Sequence, residues 1–138
     1  MKALSLLQPW ATLVATEEKR IETRSWATEY RGPIVIHASK GFKRSQMELC
    51  WQEPFRTALL KHGILMSLYN MPLGAVIATC NIADCVKITD EYGPTLSMNE
   101  QIFGDYTPGR YAWPLSDIKK LDSPIKAKGS LGLWNWEP

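Results

Sequence analysis

The segment LGAVIATCNIADCVKI, at positions 73–88, constrains the fold of this chain most strongly. It consists mainly of β-branched or small residues over 16 positions and contains no internal helix stop, which favours a long strand over a helix. Its nearly continuous apolarity indicates burial on both faces over part of its length. The sequence therefore predicts a long, partly buried strand in the middle of the chain.

Five shorter segments also have the composition or the alternation of strands. GRYAWPLSD places Tyr111, Trp113 and Leu115 on one face, because successive side chains of a strand point to opposite sides. A turn at Gly32-Pro33 precedes a β-branched run, which is a strand signal. The shorter predicted strands are Lys2–Leu7, Glu18–Trp26, Ile34–Ile36, 109–117 and 128–136.

Short helices are predicted between these strands. The first covers QPWATLVATEE, where Pro9 suits the first turn and Trp10, Leu13 and Val14 form one apolar stripe. Further helical material is predicted from about 45, from 54 to 60 before a stop at 62–63, and at 98–103 within a polar loop. Six strands with short helices predict one α+β domain over 1–138, folded as a small mixed β-barrel with flanking helices.

Composition excludes several classes of protein. A hydrophobic content of 45% in 138 residues suits one domain with its own core. No apolar run approaches the roughly 18 residues needed to cross a bilayer, and the first residues resemble neither a signal peptide nor an anchor. Cys50, Cys80 and Cys85 have no metal-ligand or disulfide spacing. We therefore expect a cytoplasmic monomer with reduced cysteines, without metal, cofactor or membrane.

The net charge of +2 is unevenly distributed along the chain. Residues 1–61 hold ten Lys/Arg against six Asp/Glu, whereas residues 62–138 hold six against eight. A basic face supplied by the first half would suit nucleic acid, although a solvated surface explains the same charges. Lys126 and Lys128 are assigned to a solvated edge, with phosphate contact as the alternative.

The stretch EKRIETRSW carries an unusual row of side chains for a strand. Alternation places Arg20, Glu22, Arg24 and Trp26 on one face, and the intervening Ile, Thr and Ser on the other. Glu22 and Arg24 would then be about 7 Å apart at their α-carbons. They could form an exposed ion pair of little energetic value, or a polar face that contacts a ligand.

Several segments resemble the ASCH domain family, which is named for homology to activating signal cointegrator-1. The similar segments follow the order of the family from Ala3 to Trp134: LSLLQPWATLVAT, EKRIETRSW, YRGPIVIHASK, GDYTPGRYAWPL and SPIKAKGSLGLW. The resemblance implies a PUA-like barrel with a cleft beside the first helix. It also implies binding of RNA or other nucleic acid, deacetylation of N4-acetylcytidine in some small bacterial relatives, and ribonuclease activity in other members.

The family signature falls on Lys19, Glu22 and Arg24. In the deacetylating relatives the middle position is a threonine nucleophile activated by the lysine, whereas this chain has a glutamate there. Thr23 cannot replace it, because a shift of one residue turns the side chain to the other face. Glu17 stands where these relatives usually have a glycine, and it is expected to resist a positive φ. We therefore expect a somewhat different turn before Lys19.

Aromatic and amide side chains near this signature are candidate base contacts. Trp10 and Trp26 could stack on bases, since each stacked base contributes about 1–3 kcal/mol, or they could belong to the core. Gln8 precedes the first helix and could cap it or contact a base edge.

The remaining candidates lie further along the chain. His37 ends an apolar run, so it is either a hydrogen-bonded core residue or a ligand contact with Lys40 beside it. Tyr106, Arg110 and Tyr111 close the polar loop and resemble the far wall of the family's cleft, although the alternation of Tyr111 with Trp113 favours the core for Tyr111.

Two main hypotheses of function follow. The first is a module that binds RNA, single-stranded nucleic acid or a modified base in a cleft containing Lys19, Glu22 and Arg24. We prefer it because no complete set of nucleophile, base and orienting group is found. The second is a hydrolase of N-acylated nucleosides or RNA, with Lys19 as base and Glu22 as proton carrier or water-positioning group. A protein-interaction adaptor is a weaker third hypothesis.

Overall fold

A computed structural model describes residues 1–138 and contains seven strands joined in one curled sheet. Most strands fall where the sequence predicts them, because the β-branched and aromatic runs supply the buried faces of the sheet. The strands are β1 (Lys2–Leu6), β2 (Ile21–Arg24), β3 (Gly32–Ala38), β4 (Ala75–Ile82), β5 (Val86–Lys87), β6 (Tyr111–Lys126) and β7 (Leu133–Asn135).

The sheet is mixed and has the strand order β2-β6-β4-β3-β1-β7, with β5 also paired to β6. Strands β1 and β3 are parallel, and the other neighbouring pairs are antiparallel. Strand β4 lies between β3 and β6, which explains its nearly continuous apolarity. The sheet curls into a half-barrel flanked by short helices, so the predicted small α+β barrel is confirmed.

Several strands differ from their predicted bounds, and β2 and β7 are shorter than the predicted segments 18–26 and 128–136. The apolar segment 73–88 forms β4 and β5 instead of one strand, because residues 83–85 leave the sheet between them. Strand β6 continues to Lys126 instead of ending near position 117. Its second half is mostly exposed and contains Pro124, so neither apolar alternation nor β-propensity marks that part as a strand.

Four short α-helices occupy the predicted places: α1 (Trp10–Ala15), α2 (Arg44–Leu49), α3 (Phe55–Lys61) and α4 (Met98–Phe103). Two 3-10 turns at Leu65–Asn70 and Gly93–Thr95 were not predicted. Helix α4 starts at a side-chain cap, since the Ser97 hydroxyl accepts a hydrogen bond from the Glu100 amide.

Helix α1 ends earlier than predicted because Glu17 adopts a left-handed conformation with φ of 64°. The turn is closed by hydrogen bonds from the Glu17 amide to the Val14 carbonyl and from the Lys19 amide to the Leu13 carbonyl, both 3.0 Å long. Glu17 therefore adopts the positive φ despite its steric cost. These hydrogen bonds offset the conformational cost and deliver Lys19 directly after the turn.

Replacing Glu17 with glycine is expected to raise the free energy of unfolding by about 0.5–1 kcal/mol, because glycine adopts the left-handed conformation without a steric penalty. The exposed Glu17–Arg20 pair, at 3.8 Å, is the only ion pair lost, and such pairs contribute little. Urea unfolding measures the change. Glu17→Ala serves as the control, since it removes the carboxylate but keeps the Cβ; a stabilisation equal to that of glycine would contradict the conformational explanation.

The core consists of two main apolar clusters on either side of α1. One lies between α1 and the sheet and includes Leu4, Ile34 and Trp113. The other lies between α1 and helices α2 to α4 and includes Phe55 and Phe103. Helix α1 contributes Val14 to the first cluster and Leu13 to the second, and Lys19 shortly after the helix is also buried.

The three cysteines are free, and two of them belong to the core. Burial raises the pKa of Cys50 to about 11 and that of Cys80 to about 12, so these thiols keep their protons at neutral pH. None of the helices has the length and apolarity required to span a bilayer.

Candidate functional site

Lys19 is buried directly after the turn that ends α1. Only 1% of the residue is exposed. Its Nζ donates a hydrogen bond to the Ile21 carbonyl and lies 3.4 Å from Glu22 Oε1. A buried amine with a carbonyl and a carboxylate as partners is held firmly as a hydrogen-bond donor.

Glu22 and Arg24 form the next part of the same charged row. Glu22 Oε2 accepts from Arg24 Nε at 2.9 Å and lies 2.8 Å from Nη2, while Nη2 also donates to the Ser5 carbonyl at 2.9 Å. Only 8% of Glu22 is exposed, so the alternative of an exposed ion pair is wrong. Lys19, Glu22 and Arg24 form a continuous, largely buried chain of charges.

Glu100 of α4 holds the start of β2 from the other side. Its Oε1 accepts from the amides of Arg20 and Ile21 at 3.2 and 3.1 Å, and its Oε2 accepts from the Arg20 amide at 3.1 Å. The carboxylate thereby satisfies two backbone donors between Lys19 and Glu22. Sequence reasoning missed this positioning residue, because nothing local relates α4 to a strand about 80 positions away.

A smaller cavity of about 460 Å³ opens between α1, β2 and the end of α4. It contains the charged row, and Trp10 lies at its side. Arg110 stands at its edge with Nε 3.5 Å from Asp105 Oδ2. The Thr107 hydroxyl and amide, with Arg110, hold the pKa of Asp105 below its usual range. The lining of this smaller cavity includes Trp10, Lys19, Glu22, Thr23, Arg24, Ile102, Asp105 and Arg110.

A larger cavity of about 1020 Å³ adjoins the smaller one and shares Ser5, Arg24 and Ser39 with it. It lies between the start of β4, the end of β6 and the loop from Ala127 to Gly132 that leads to β7. Its lining also contains His37, Lys40, Leu73, Gly74, Lys126, Lys128 and Leu131. The two cavities together form the cleft of this protein.

A hydrogen-bonded network fixes the floor of the larger cavity. Trp134 Nε1 donates to Ser5 Oγ at 3.1 Å, Ser5 Oγ lies 3.0 Å from His37 Nδ1, and His37 Nε2 lies 2.8 Å from the Ala127 carbonyl. Because that carbonyl can only accept, Nε2 carries a proton. His37 Nδ1 pairs with the Ser5 hydroxyl, and the network anchors the Ala127–Gly132 loop to the sheet.

Gly129 is required for this close approach. A Cβ placed there would lie 2.6 Å from His37 Cε1 and 2.9 Å from Ser5 Oγ. His37 is buried and cannot move away without breaking its hydrogen bonds. Gly129 thus lets the loop lie directly on the Ser5–His37 pair.

Five predicted contact residues do not present a binding group to the cleft. Gln8 is fully buried. Its Oε1 accepts a hydrogen bond from the Thr12 amide, and its Nε2 donates one to the Pro72 carbonyl. His37 has both ring nitrogens occupied, although its edge lines the larger cavity. Trp26 packs edge-on against Trp113. Internal contacts thus occupy Gln8, His37 and Trp26, and Tyr106 and Tyr111 line neither cavity.

Tyr106 has a distinct environment beneath the loop that follows α4. Its hydroxyl is buried without a hydrogen-bond partner, and its ring lies 2.7 Å from the position that a Cβ of Gly104 would occupy. Burial, followed by the charge of Glu100, raises the pKa of the Tyr106 phenol above its usual range. The side chain supports the wall of the smaller cavity from behind.

The structure does bring the other predicted residues together. Trp10, Lys19, Glu22, Arg24 and Arg110 meet in the smaller cavity, and Lys40 lies in the larger one. Sequence reasoning missed Ser5 and Ser39, which give no local signal. Lys126 and Lys128 are exposed, as the assignment to a solvated edge predicts, and both also line the larger cavity.

A curled mixed sheet, short flanking helices and a charged cleft beside the first helix define a small α+β barrel of the PUA-like class. The ASCH domain family model matches residues 4–124. The chain therefore belongs to the ASCH domain family.

Two curated relatives are similar in sequence to this chain. Activating signal cointegrator 1 of Mus musculus is 36% identical over 141 aligned residues, and the protein of the same name from Homo sapiens is 32% identical over 140. Each alignment covers 94% of this chain but 24% of the relative. The chain thus spans about a quarter of the length of these relatives.

Proposed function

We propose that this chain binds RNA or another single-stranded nucleic acid, with one base in the smaller cavity and the backbone along the neighbouring cations. Membership of the ASCH domain family suggests interaction with nucleic acid in general. The observation that carries the finer proposal is the position of Glu22, a buried carboxylate held between two cations at the bottom of an open cavity.

Glu22 retains the capacity to accept a further hydrogen bond. A carboxylate offers about four lone-pair sites, and the contacts with Lys19 Nζ, Arg24 Nε and Arg24 Nη2 leave about one of them, on the Lys19 side, for a further donor. A base amine or ring N–H can donate to the remaining site, which suits recognition of an exposed base edge. Trp10 is half-buried, packs edge-on against Phe55 and lines the same cavity, so part of its indole is available for stacking.

The arrangement favours binding over hydrolysis. Lys19 Nζ is held by the Ile21 carbonyl and the Glu22 carboxylate, so its N–H groups serve acceptors within the protein. Thr23 also lines the smaller cavity, but its hydroxyl accepts a hydrogen bond from the Asp105 amide at 3.0 Å. These internal contacts of Lys19 and Thr23 argue against the threonine chemistry of the deacetylating relatives.

Salt-dependent RNA titration tests the proposal. Lys40→Ala is expected to weaken binding of a short single-stranded RNA and to reduce the slope of log K against log salt by about 0.7, the value for one phosphate contact on a single strand. Fluorescence anisotropy at several salt concentrations measures both. Lys119→Ala is the matched control, since Lys119 is exposed and lies in neither cavity. Equal slopes for the two variants would contradict a backbone contact at Lys40.

The base contact is tested with homopolymeric RNAs. Glu22→Gln keeps the size of the side chain but replaces one acceptor oxygen with a donor, so the order of affinities among the four homopolymers is expected to change. An unchanged order would reject Glu22 as the base contact. Release of acetate from N4-acetylcytidine, or RNA cleavage, that disappears in Lys19→Met would instead support the hydrolase.

A further inference from the structure

The larger cavity gathers positive charge without a compensating carboxylate. Lys40, Lys126, Lys128 and Arg24 line it, and no Asp or Glu does. None of the three lysines forms an ion pair within the protein, whereas Arg24 is paired with Glu22. Cations that converge on a concave surface repel one another and raise the local concentration of anions. The cavity is therefore arranged for an anionic ligand.

Hydrogen-bond donors without a partner in the protein also line this cavity. Arg24 uses Nε and Nη2 on Glu22 and Ser5 but makes no hydrogen bond through Nη1, and Ser39 Oγ also has no partner in the protein. The Ser5 hydroxyl is already engaged with His37. A charged guanidinium, ammonium groups and a hydroxyl are the donors that bind phosphate oxygens, and guanidinium donors give shorter, stronger bonds than neutral ones.

The size and the rim of the cavity select a ligand larger than an inorganic ion. A volume of about 1020 Å³ is at the upper end of the range of about 300–1000 Å³ typical of small-molecule sites. Leu131 is 95% exposed, Leu73 is 39% exposed, and both line the cavity. Apolar side chains beside a cationic wall suit a ligand that has a phosphate group and a planar or apolar portion.

We infer that the larger cavity is a binding site for the phosphate group of a nucleotide, with the lysines and Arg24 on the phosphate and the leucines beside the sugar or base. The same chemistry is offered by a free mononucleotide and by a terminal nucleotide of a strand. The choice of a nucleotide over other phosphate-bearing ligands rests on the proposed function.

Calorimetric titration of the full chain at constant ionic strength tests the inference with AMP, adenosine and inorganic phosphate. We expect AMP to bind at least tenfold more tightly than either of the other two, because each lacks one part of the ligand. The triple variant Lys40→Ala/Lys126→Ala/Lys128→Ala is expected to lose at least tenfold in AMP affinity. The double variant Lys119→Ala/Lys120→Ala, which removes exposed lysines outside both cavities, is expected to bind AMP as the wild type does.

Equal AMP affinity in the wild type and the triple variant, or no measurable AMP binding, would overturn the inference. Oligonucleotides with a 5′-phosphate or a 5′-hydroxyl then identify the source, since tighter binding of the phosphorylated strand indicates a terminal nucleotide, and equal binding indicates a free nucleotide. Lysine-dependent AMP binding without any RNA binding would reject the proposed function but retain the phosphate site. RNA binding unaffected by the triple substitution, without AMP binding, would reject the phosphate site and the backbone contact at Lys40 but retain RNA binding at the smaller cavity.

Discussion

Glu22→Ala is expected to lower the free energy of unfolding by about 3–5 kcal/mol, because removing one partner of a buried ion pair leaves the other charge uncompensated. Lys19, which is 1% exposed in the wild type, would keep only the Ile21 carbonyl as a partner. Arg24 would lose its 2.8 Å contact with the Glu22 carboxylate. Urea unfolding followed by tryptophan fluorescence measures the loss. This is the largest effect that we expect from a single polar substitution in this protein.

Two further variants separate the charge effect from loss of packing. Lys19→Met/Glu22→Leu removes both charges and is expected to recover most of the lost stability, because a buried pair replaced by apolar side chains is often energetically neutral. Glu18→Ala removes a carboxylate beside the same turn whose partners, Lys61 and His62, are much more exposed than Lys19, and it is expected to cost less than Glu22→Ala. If Glu22→Ala were as mild as Glu18→Ala, the charge of Lys19 would have to be compensated by another group.

Glu100→Ala is expected to cost about 2–3 kcal/mol, because it leaves the Arg20 and Ile21 amides without their charged acceptor. The effect should reach the site, since these amides hold the segment between Lys19 and Glu22. Native-state hydrogen exchange is the decisive measurement, with faster exchange expected at Arg20 and Ile21 in particular.

Glu100→Gln is the matched variant, since its amide keeps one acceptor oxygen and the same length. It is expected to lose less stability than Glu100→Ala and to retain slow exchange at Ile21. Glu91 is an exposed acidic residue that precedes α4 in the chain, and Glu91→Ala controls for loss of negative charge. A uniform increase of exchange throughout the protein in Glu100→Ala would indicate general destabilisation instead of release of β2.

The sequence predicted the architecture well where burial leaves a periodic pattern. Alternation in EKRIETRSW correctly placed Glu22 and Arg24 on one face, since their side chains bond directly, and the apolar run of β4 marked a central strand. The second half of β6 escaped prediction because its residues are exposed on a sheet edge, so selection for burial imposes no period there.

The candidate site was predictable only where its residues are neighbours in sequence. Lys19, Glu22 and Arg24 lie within one short strand and its preceding turn, whereas Glu100 and Ser5 reach them from distant elements. His37 illustrates the same limit, because its partners Ser5 and Ala127 come from two other strands or their ends. A single sequence contains no local signal for such pairings, so a buried histidine and a ligand-contacting histidine give the same pattern.

Arg24 forms part of the wall of both cavities, so two ligands that both contact it would be coupled thermodynamically. A ligand in either cavity that strengthens or weakens the Arg24–Glu22 contact changes the affinity of the other cavity, and reciprocity requires the same factor in both directions. A coupling of about 1.4 kcal/mol corresponds to a tenfold change in affinity. Adjacent nucleotides bound across this arginine would therefore bind cooperatively or anticooperatively, and Arg24→Lys, with its single ammonium, would uncouple them.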